Sequence, residues 1–419
     1  MDRTELKEII IDQNNRKEPD YLVERELFTK LESYIKNDLI IIVSGIRRCG
    51  KSTLLNQLRK KYSGYYLNFD DERLLDFKIE DFSLLEELFV ELYGEKEIFY
   101  FDEIQNVSSW ERFVRRIHDQ RKKVFITGSN AFMLSKELGT HLTGRHLTLQ
   151  MFPFSFKEFL CLKKFEINKN SPYIITTRAK IKNHFEDYFV NGGFPEYLKE
   201  LNPDYLKTLY ENIIYRDILV RYKIPSEKSL KELVNLSINS ISKVISFNSI
   251  KKTLDFGSST TVKDYFYYLE NSFLIFLNTK FDYSLRKQIY YNKKIYCIDN
   301  GLVKYLGFRV TSDNGRLLEN IVFIELKRRG KEIYYYSDKK ECDFVVKQVY
   351  ADIKEAIQVC YELTKNNRER EIEGLTEAMN KFKLKEGLIL TYDQDEEIIL
   401  KEKRIIIKPV WKWLIEEES

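Results

Sequence analysis

The feature that most constrains the fold of this chain is an apolar run that leads directly into a glycine-bounded loop. Residues 40–43 are all branched and apolar, and the pattern G-x-x-x-x-G-K-S follows at 45–52. A buried strand, a turn that wraps an anion and the start of a helix are expected in this order. Gly45 and Gly50 let the backbone approach a phosphate closely, and a helix that begins near Lys51 adds the positive end of its dipole. The stretch therefore predicts a phosphate-binding loop.

The side chains of this loop suit a nucleoside triphosphate and its magnesium ion. Lys51 is expected to reach the β- and γ-phosphates of ATP, and the hydroxyl of Ser52 to ligate Mg²⁺. Arg47 and Arg48 are extra cations, placed either to contact phosphate or to face a partner. The alternative, an incidental Lys-Ser in a strand-turn-helix, is disfavoured by the apolar segments on both sides. The predicted nucleotide-binding residues are Gly45, Ile46, Arg47, Arg48, Cys49, Gly50, Lys51, Ser52 and Thr53.

A second apolar run ends in two acids at the distance that such a loop requires. Residues 98–101 are apolar, and Asp102 and Glu103 follow them. Asp102 is expected to hold the magnesium shell through water, and Glu103 to be the base that orients and polarises the attacking water. Two acids after an apolar run are common at strand ends, but the pairing with the phosphate-binding loop predicts a Walker B strand.

The first part of the chain alternates between strand and helix patterns. Apolar runs at 64–71 and 123–130 end in polar side chains, and amphipathic patterns at 82–93 and 110–119 predict helices. Such alternation predicts a parallel sheet with helices on both faces, in which ligands lie at the carboxyl ends of the strands. All of the polar strand ends are therefore expected at one place.

Three polar residues after the fourth strand have two interpretations each. Ser129 or Asn130 is expected to hydrogen-bond the γ-phosphate or the attacking water, and the alternative is an ordinary helix cap. Arg145 follows a glycine turn and is expected to reach the γ-phosphate of a neighbouring subunit, where it would neutralise charge in the transition state. The alternative for Arg145 is a surface or ion-paired arginine.

Length, charge and cysteine content limit the class of protein that this chain can be. The chain has 419 residues, enough for two to three domains, and 69 basic against 65 acidic residues give a net charge of +4. That balance provides no overall field that would by itself indicate nucleic acid. The five cysteines are scattered without metal-ligand spacing, which indicates a reducing, cytoplasmic location. With no signal peptide and no uncharged apolar segment of membrane-spanning length in the sequence, we expect a soluble protein without a membrane partner.

The spaced motifs of the chain occur in an order that resembles one prokaryotic family. They lie at 45–53, 102–105 with Trp110, 127–130, 143–145, 153–156 with 158–159, and 192–196. The chain resembles the AAA-type ATPases that carry a C-terminal domain of unknown function numbered 4143. This resemblance extends over nearly the whole chain. It implies an AAA-like ATPase core, a winged-helix segment and a nuclease-like C-terminal domain.

The predicted fold class is accordingly α/β: an AAA-like P-loop parallel sheet, then a helical and winged-helix domain, then a restriction-endonuclease-like α/β domain. The predicted domains are 1–160, 161–300 and 301–419. In the second, a helix from Thr261 would enter a major groove of DNA, and the basic link at 280–294 between two strands would contact phosphates. The alternative is a winged helix that serves as a protein-protein or lid module.

The third domain resembles the PD-(D/E)xK nuclease core but departs from its active pattern. Glu319 and Asp343 would occupy the first two acidic positions, and the E-x-K pair would fall on Gln358 and Cys360. Loss of a carboxylate weakens a site for a hard cation, and loss of the lysine removes the cation that assists the attacking water. We therefore expect a scaffold or DNA-docking domain without cleavage. A nuclease that depends on Asp343 is the alternative.

These patterns together predict an ATP hydrolase that remodels or translocates on duplex or branched DNA. It would use Mg²⁺ and work as a homo-oligomer, with a ring as one arrangement. The alternatives are a nucleotide switch that acts on a protein partner and an ATP-regulated DNA nuclease. The predicted catalytic residues are Glu103, Lys51, Arg145 and Asn130, and the predicted metal ligands are Ser52 and Asp102.

Overall fold

The chain divides into two compact units. The computed structural model describes residues 1–16, 23–129, 142, 144–307, 313–348, 352–400 and 402–416. One unit is Met1–Phe152, and the other is Pro153–Ser419. Within these described ranges, no helix is both long and apolar enough to cross a bilayer.

The first unit is built on a parallel sheet. Its described strands are β1 (Ile40–Gly45), β2 (Tyr65–Asn68), β3 (Ile98–Asp102), β4 (Lys123–Gly128) and β5 (His146–Met151). They lie in the order β2-β3-β4-β1-β5, and every neighbouring pair is parallel. The carboxyl ends of all the strands therefore lie at one edge. The predicted P-loop sheet is confirmed.

Helices pack on this sheet because alternate strand residues face opposite sides. Ile40 and Ile42 of β1 belong to a core that also contains Leu6, Phe82 and Trp110. The first turns of the helices begin close to the predicted residues, and two helices have the predicted bounds. The described helices of this unit are α1 (Arg3–Asn15), α2 (Glu26–Ser33), α3 (Lys51–Lys61), α4 (Phe82–Tyr93) and α5 (Trp110–Asp119).

The second unit begins with helices and continues into a mixed sheet. Ser258 caps one of its helices, since its hydroxyl accepts a hydrogen bond from the Thr261 backbone N–H at 3.0 Å. A π-helical segment, Ile213–Val220, follows α9. The described helices are α6 (Phe156–Leu162), α7 (Ile175–Asn191), α8 (Tyr197–Glu200), α9 (Pro203–Asn212), α10 (Glu227–Ile238), α11 (Phe247–Thr253), α12 (Ser259–Asn271), α13 (Leu285–Tyr290), α14 (Asn300–Leu306), α15 (Asn314–Arg328), α16 (Arg368–Lys381) and α17 (Val410–Ile415).

The sheet of the second unit contains parallel and antiparallel pairs. Among the described residues its order is β13-β14-β12-β11-β10-β9-β7-β8-β6. A core that includes Leu375, Met379 and Ile389 lies between α16 and the strands. The strands are β6 (Val244–Ile245), β7 (Ile275–Lys280), β8 (Lys293–Cys297), β9 (Glu332–Ser337), β10 (Glu341–Lys347), β11 (Ile353–Val359), β12 (Glu386–Thr391), β13 (Glu396–Leu400) and β14 (Lys403–Pro409).

A winged-helix arrangement forms one end of this sheet. The chain order is α10, β6, α11, α12, β7 and β8, and β8 pairs antiparallel with both β6 and β7. β7 also pairs in parallel with β9, where Thr279 is opposite Tyr334. The sheet is therefore continuous across residues 300 and 301, where the sequence predicts a domain boundary. Of the aromatic stretch in α12, Tyr265 and Phe266 are buried, whereas Tyr267 is exposed.

Candidate nucleotide site

The loop after β1 has the conformation that its glycines predict. A Cβ atom on Gly45 would lie 2.2 Å from the carbonyl oxygen of Met151, so the close approach of the two backbones requires glycine. Gly50 has a φ of +103°, in the left-handed region, and α3 begins at the next residue. The loop thus turns sharply and presents the amino end of α3. We call residues 45–53 the P-loop.

Lys51 is held inside the P-loop by backbone oxygens and one acid. Its Nζ donates to the carbonyl oxygens of Gly45 at 3.1 Å and Ile46 at 3.2 Å, and it lies 3.4 Å from Glu103 Oε1. Burial disfavours the charged form, but the Glu103 carboxylate raises the pKa of Lys51 above its ordinary value. The site therefore keeps a buried ammonium beside the loop backbone.

The two predicted magnesium ligands lie next to each other. Asp102 is fully buried and accepts hydrogen bonds from the Thr127 hydroxyl and, at 3.3 Å, from the Tyr66 hydroxyl. The Ser52 hydroxyl also hydrogen-bonds to it. Burial and the nearby Glu103 raise the pKa of Asp102, and the hydrogen bonds from Ser52 and Thr127 oppose the shift. A carboxylate and a hydroxyl at one point form an oxygen-donor pair of the type that suits Mg²⁺.

Glu103 is oriented by three hydrogen bonds, one from its backbone and two to its carboxylate. It has a φ of +51°, and its backbone N–H donates to Thr127 Oγ1 at 3.1 Å. Its Oε2 accepts from the Gln105 side chain and, at 3.2 Å, from the Ser129 backbone N–H. Burial would raise the pKa of Glu103, but the charges of Lys51 and Arg47 lower it overall. The ends of β3 and β4 thus hold an ionised carboxylate beside the P-loop.

The two arginines of the P-loop have different environments. Arg47 Nη1 lies 3.8 Å from Asp70 Oδ2, after β2, and the Arg47 charge acts on both Lys51 and Glu103. Arg48 is exposed and has a φ of +66°. Of the two interpretations that the sequence left open, contact with phosphate fits the position of Arg47, and contact with a partner fits that of Arg48.

Arg25 supports the P-loop from outside and was missed by the sequence analysis. This buried guanidinium donates to the carbonyl oxygens of Cys49 at 2.6 Å and Phe152 at 2.7 Å. It therefore ties the P-loop to the residue that follows β5. An arginine between two charged helices carries no signal of this role in the sequence, because both acceptors are backbone atoms far along the chain.

Arg145 lies away from these residues. Its backbone oxygen accepts from the Ile40 N–H at 2.9 Å, so it is level with the start of β1, whereas the P-loop follows the end of β1. Six residue steps of strand separate the two positions, roughly 20 Å. The Arg145 Nη1 lies 2.6 Å from Asp119 Oδ1. Asn130 lies outside the described residues.

A second charged cluster surrounds a lysine in the other unit. Glu319 of α15 and Asp343 of β10, the predicted nuclease acids, lie 3.1 and 2.8 Å from the Nζ of Lys294 on β8. Glu341 Oε1 is 2.7 Å from the same Nζ, and the Tyr296 hydroxyl donates to Glu319 Oε1 at 2.6 Å. Burial opposes the ammonium form, but the surrounding acids raise the pKa of Lys294 well above its ordinary value.

The positions expected for the E-x-K pair have other contacts. Gln358 Oε1 accepts from the Asp343 N–H at 3.2 Å, and its Nε2 donates to Glu371 Oε2 at 2.6 Å. Burial raises the pKa of the Cys360 thiol to about 11. The lysine of this cluster therefore comes from β8 rather than β11. In the part of the chain that the structure describes, no three His, Cys, Asp or Glu side chains are grouped to hold a metal ion.

The Gly192–Gly193 motif is a structural loop built around Asp299. A Cβ on Gly192, whose φ is +71°, would lie 2.1 Å from an Asp299 carboxylate oxygen. The other Asp299 oxygen accepts from the Gly193 N–H at 2.6 Å, and Gly301 donates its own N–H to the carboxylate at 2.8 Å. Burial raises the pKa of Asp299 to about 6.

Comparison with known proteins finds three family matches along the chain. Residues 37–160 match the family described as an AAA domain. Residues 182–314 match a domain of unknown function numbered 8612, and residues 314–413 match the domain of unknown function numbered 4143. The P-loop and the Walker B acids lie in the first of these matches.

Two similar proteins match along most of their lengths. An uncharacterized protein of Methanocaldococcus jannaschii is 35% identical over 97% of this chain and 94% of its own. An uncharacterized protein of Haemophilus influenzae is 31% identical over 83% of this chain and 89% of its own.

Among solved structures, the ORC2 protein of Aeropyrum pernix in its ADP form matches with a TM-score of 0.31 and 10% identity, over 66% of this chain and 91% of that one. The CDC6P protein of Pyrobaculum aerophilum matches with a TM-score of 0.26 and 11% identity, over 77% and 98% of the two chains. Neither TM-score reaches 0.5, so neither similarity carries an inference about function.

Proposed function

Because the chain belongs to the prokaryotic AAA-domain family that carries the domain of unknown function 4143, we propose that it hydrolyses ATP and uses the energy to remodel or translocate on duplex or branched DNA. The observation that carries the proposal is the convergence at one sheet edge of a buried ammonium, an oxygen-donor pair and an ionised carboxylate. These groups belong to Lys51, Ser52 with Asp102, and Glu103.

The contacts of the site support ATP and Mg²⁺ as its ligands. The P-loop turns at Gly50 into the start of α3, where the first amide groups of a helix have no partner within the helix and favour an anion. Lys51 would bind the phosphates, and Ser52 and Asp102 would hold the metal, which neutralises phosphate charge when bound. Burial raises the pKa of the Cys49 thiol, which keeps that side chain neutral.

Glu103 is the proposed general base. Because its pKa is lowered below the ordinary value, it is ionised at neutral pH and ready to accept a proton from the attacking water. Gln105 and the Ser129 amide fix the carboxylate in one orientation, and Lys51 neutralises it before phosphate arrives. Asn130 is proposed to contact the γ-phosphate or the attacking water.

Arg145 is proposed to act on a neighbouring subunit. Arg145 lies at the edge of the sheet where β1 begins, and the P-loop of its own chain lies at the opposite edge, where β1 ends. Arg145 therefore completes a nucleotide site only if another copy of the chain docks at this edge. Its partner Asp119 is half exposed, and exchange of that surface ion pair for a γ-phosphate has a low cost. A homo-oligomer, as a ring or an open assembly, would place each Arg145 at the next subunit's nucleotide.

DNA is the proposed partner because the winged-helix part carries cations on two adjacent elements. Lys263 is exposed on α12, and its charge acts on Lys293 at the start of β8. Helix α12 would lie in the major groove, with the β7–β8 link on phosphates. A nuclease function is disfavoured because the Lys294 ammonium already lies between the acids that would hold a metal ion.

Hydrolysis at this site is tested with two variants of the full chain. Lys51→Ala is expected to lose ATP binding, whereas Glu103→Gln is expected to bind ATP but hydrolyse it at least ~100-fold more slowly in single turnover. Glu95→Gln, an exposed acid of the same unit, is the control and should behave as wild type. Wild-type hydrolysis by the Glu103 variant would overturn the assignment.

A nucleotide switch that acts on a protein partner is the second candidate. The observation that favours it is the capture of Glu103 by Lys51, Gln105 and Ser129, which would slow hydrolysis. The two candidates differ in DNA affinity, measured by fluorescence anisotropy in 50 to 200 mM salt. A motor that acts on DNA requires DNA binding that falls steeply with salt concentration. A switch requires tight nucleotide binding and no such binding to DNA.

A further inference from the structure

The link between β7 and β8 ends in a helix that exposes its apolar side chains. None of the six residues of α13, all of which are described, is buried. Leu285 is 74% exposed, Ile289 69% and Tyr290 78%, and Tyr283 just before the helix is 72% exposed. Four large apolar side chains so close together and so exposed are unusual on a soluble domain and mark a contact surface. We call residues 283–290 the wing tip.

The wing tip is held in shape without a core of its own. Asp282 Oδ1 accepts from the Ser284 N–H at 2.8 Å, and its backbone oxygen accepts from Gln288 Nε2 at 2.6 Å. The Tyr291 hydroxyl donates to Asp282 Oδ2 at 3.2 Å, and Lys293 Nζ donates to the Gln288 carbonyl. The backbone that carries the exposed side chains is therefore held in place by these hydrogen bonds, which lowers the entropic cost of contact.

Charge indicates what kind of partner fits. Residues 280–293 contain four cations, Lys280, Arg286, Lys287 and Lys293, and a single anion, Asp282. Such a segment is complementary to a polyanion. The exposed surface of α12 carries Lys263, whose charge acts on Lys293 of the link, beside the exposed acid Asp264. A DNA duplex would contact the wing tip and Lys263 of α12 together, whereas a flat bilayer would contact only the apolar side chains of the wing tip.

We propose that Leu285 and Ile289 form an apolar wedge that enters an opened base step of duplex DNA, while Arg286 and Lys287 bind the flanking phosphates. Residues four apart lie on one face of a helix, so the two aliphatic side chains present a single blunt edge. Insertion of such side chains unstacks a step and kinks the duplex, and the unstacking cost is offset by the contacts that the bend permits. The inference rests on the proposed DNA partner and specifies how the duplex is deformed.

Three double variants distinguish the effect of the apolar wedge from the effect of the cations and from the effect of exposed apolar side chains elsewhere. The wedge variant is Leu285→Ser with Ile289→Ser. The control is Leu75→Ser with Ile399→Ser, which removes side chains that are 85% and 72% exposed elsewhere. The charge variant is Arg286→Gln with Lys287→Gln. Each full-length protein is titrated onto a 30-base-pair duplex that carries 2-aminopurine and dyes at both ends, which report unstacking and bending.

The wedge variant is expected to lose the 2-aminopurine signal and the bend and to bind about tenfold more weakly, with an unchanged salt slope. The charge variant is expected to keep both signals while its salt slope falls by about 2. If the wedge variant unstacks and bends DNA as the control does, the wedge is wrong but DNA binding stands. If the wild type binds no duplex, or the wedge residues instead govern sedimentation with phosphatidylserine vesicles, the inference is overturned. If bound DNA does not stimulate ATP hydrolysis, the result contradicts the proposed function but not the wedge.

Discussion

Lys51 and Glu103 form the strongest electrostatic pair of the candidate nucleotide site. They lie 3.4 Å apart, and the charge of each shifts the pKa of the other towards the ionised form in spite of burial. Phosphate oxygens would compete with Glu103 for the ammonium and so release the carboxylate to act as a base. In the proposed mechanism, one lysine would therefore couple nucleotide binding to activation of the base.

Arg47 is expected to distinguish ATP from ADP. Its charge acts on Lys51 and Glu103, the proposed phosphate-binding and base residues, so we expect it to respond to the charge that a third phosphate would add. Arg47→Ala should weaken ATP binding about tenfold more than ADP binding, because a charge-assisted hydrogen bond to the γ-phosphate is lost. Competition against a fluorescent nucleotide measures both affinities.

The control for Arg47 is the neighbouring Arg48→Asn. Arg48 is exposed with a positive φ, a conformation that asparagine tolerates, so this variant removes a charge from the same loop without strain. It should bind both nucleotides as wild type does. Equal losses of ATP and ADP affinity in Arg47→Ala would show that Arg47 only shapes the loop.

At the scale of elements, β8 joins the two parts of the second unit. It pairs with β6 and β7 of the winged helix, and through Lys294 it contacts α15 and β10. A wing tip between β7 and β8 is therefore attached to a rigid sheet rather than to a free hairpin. Deformation of a bound partner at the wing tip would be transmitted directly to this unit.

The loop that joins α7 and α8 should give the second unit a pH-dependent stability. Burial raises the pKa of Asp299 to about 6, above the ordinary 3.8. Between those values the folded state binds a proton that the unfolded state does not, so this contribution is fully present below pH ~4. It is lost as pH rises through ~6, by roughly 3 kcal/mol in the free energy of unfolding once pH is well above that value.

Urea unfolding of wild type and Asp299→Asn measures this contribution. The stability of wild type relative to the variant should fall from pH 4.5 through pH 6 and level off above about pH 7, where Asp299 is ionised in both the folded and the unfolded state; asparagine does not titrate. A difference between the two proteins that is independent of pH would contradict the raised pKa.

The sequence predicted those elements whose signals are local. Apolar runs that end in polar residues identified β1 to β4, and glycine spacing identified the P-loop, because both patterns lie within a few residues. Lys294 was assigned to the basic link that would contact phosphates, and this was wrong, because strand pairing buries it between Glu319 and Asp343. Arg25 was missed, since its acceptors are backbone atoms that only a long connection brings near. The role of Asp299 was hidden for the same reason: its donors, Gly193 and Gly301, are far apart in the chain.

For the whole molecule, the positions of Glu103 and Arg145 predict an active site shared between subunits. Glu103→Gln keeps a normal Arg145, and Arg145→Ala keeps a normal Glu103, so each variant alone should lose most of its hydrolysis. Mixed at equal amounts, they should recover activity at about a quarter of the interfaces, where an intact site meets an intact arginine. No recovery in assemblies that contain both variants would contradict action on a neighbour.

The most direct test of the central claim is the steady-state rate of ATP hydrolysis with and without duplex and four-way-junction DNA. We predict that DNA stimulates hydrolysis by the wild type and that the stimulated rate disappears in both Lys51→Ala and Glu103→Gln. Hydrolysis that proceeds with no response to any DNA would contradict the account and indicate a protein as the partner.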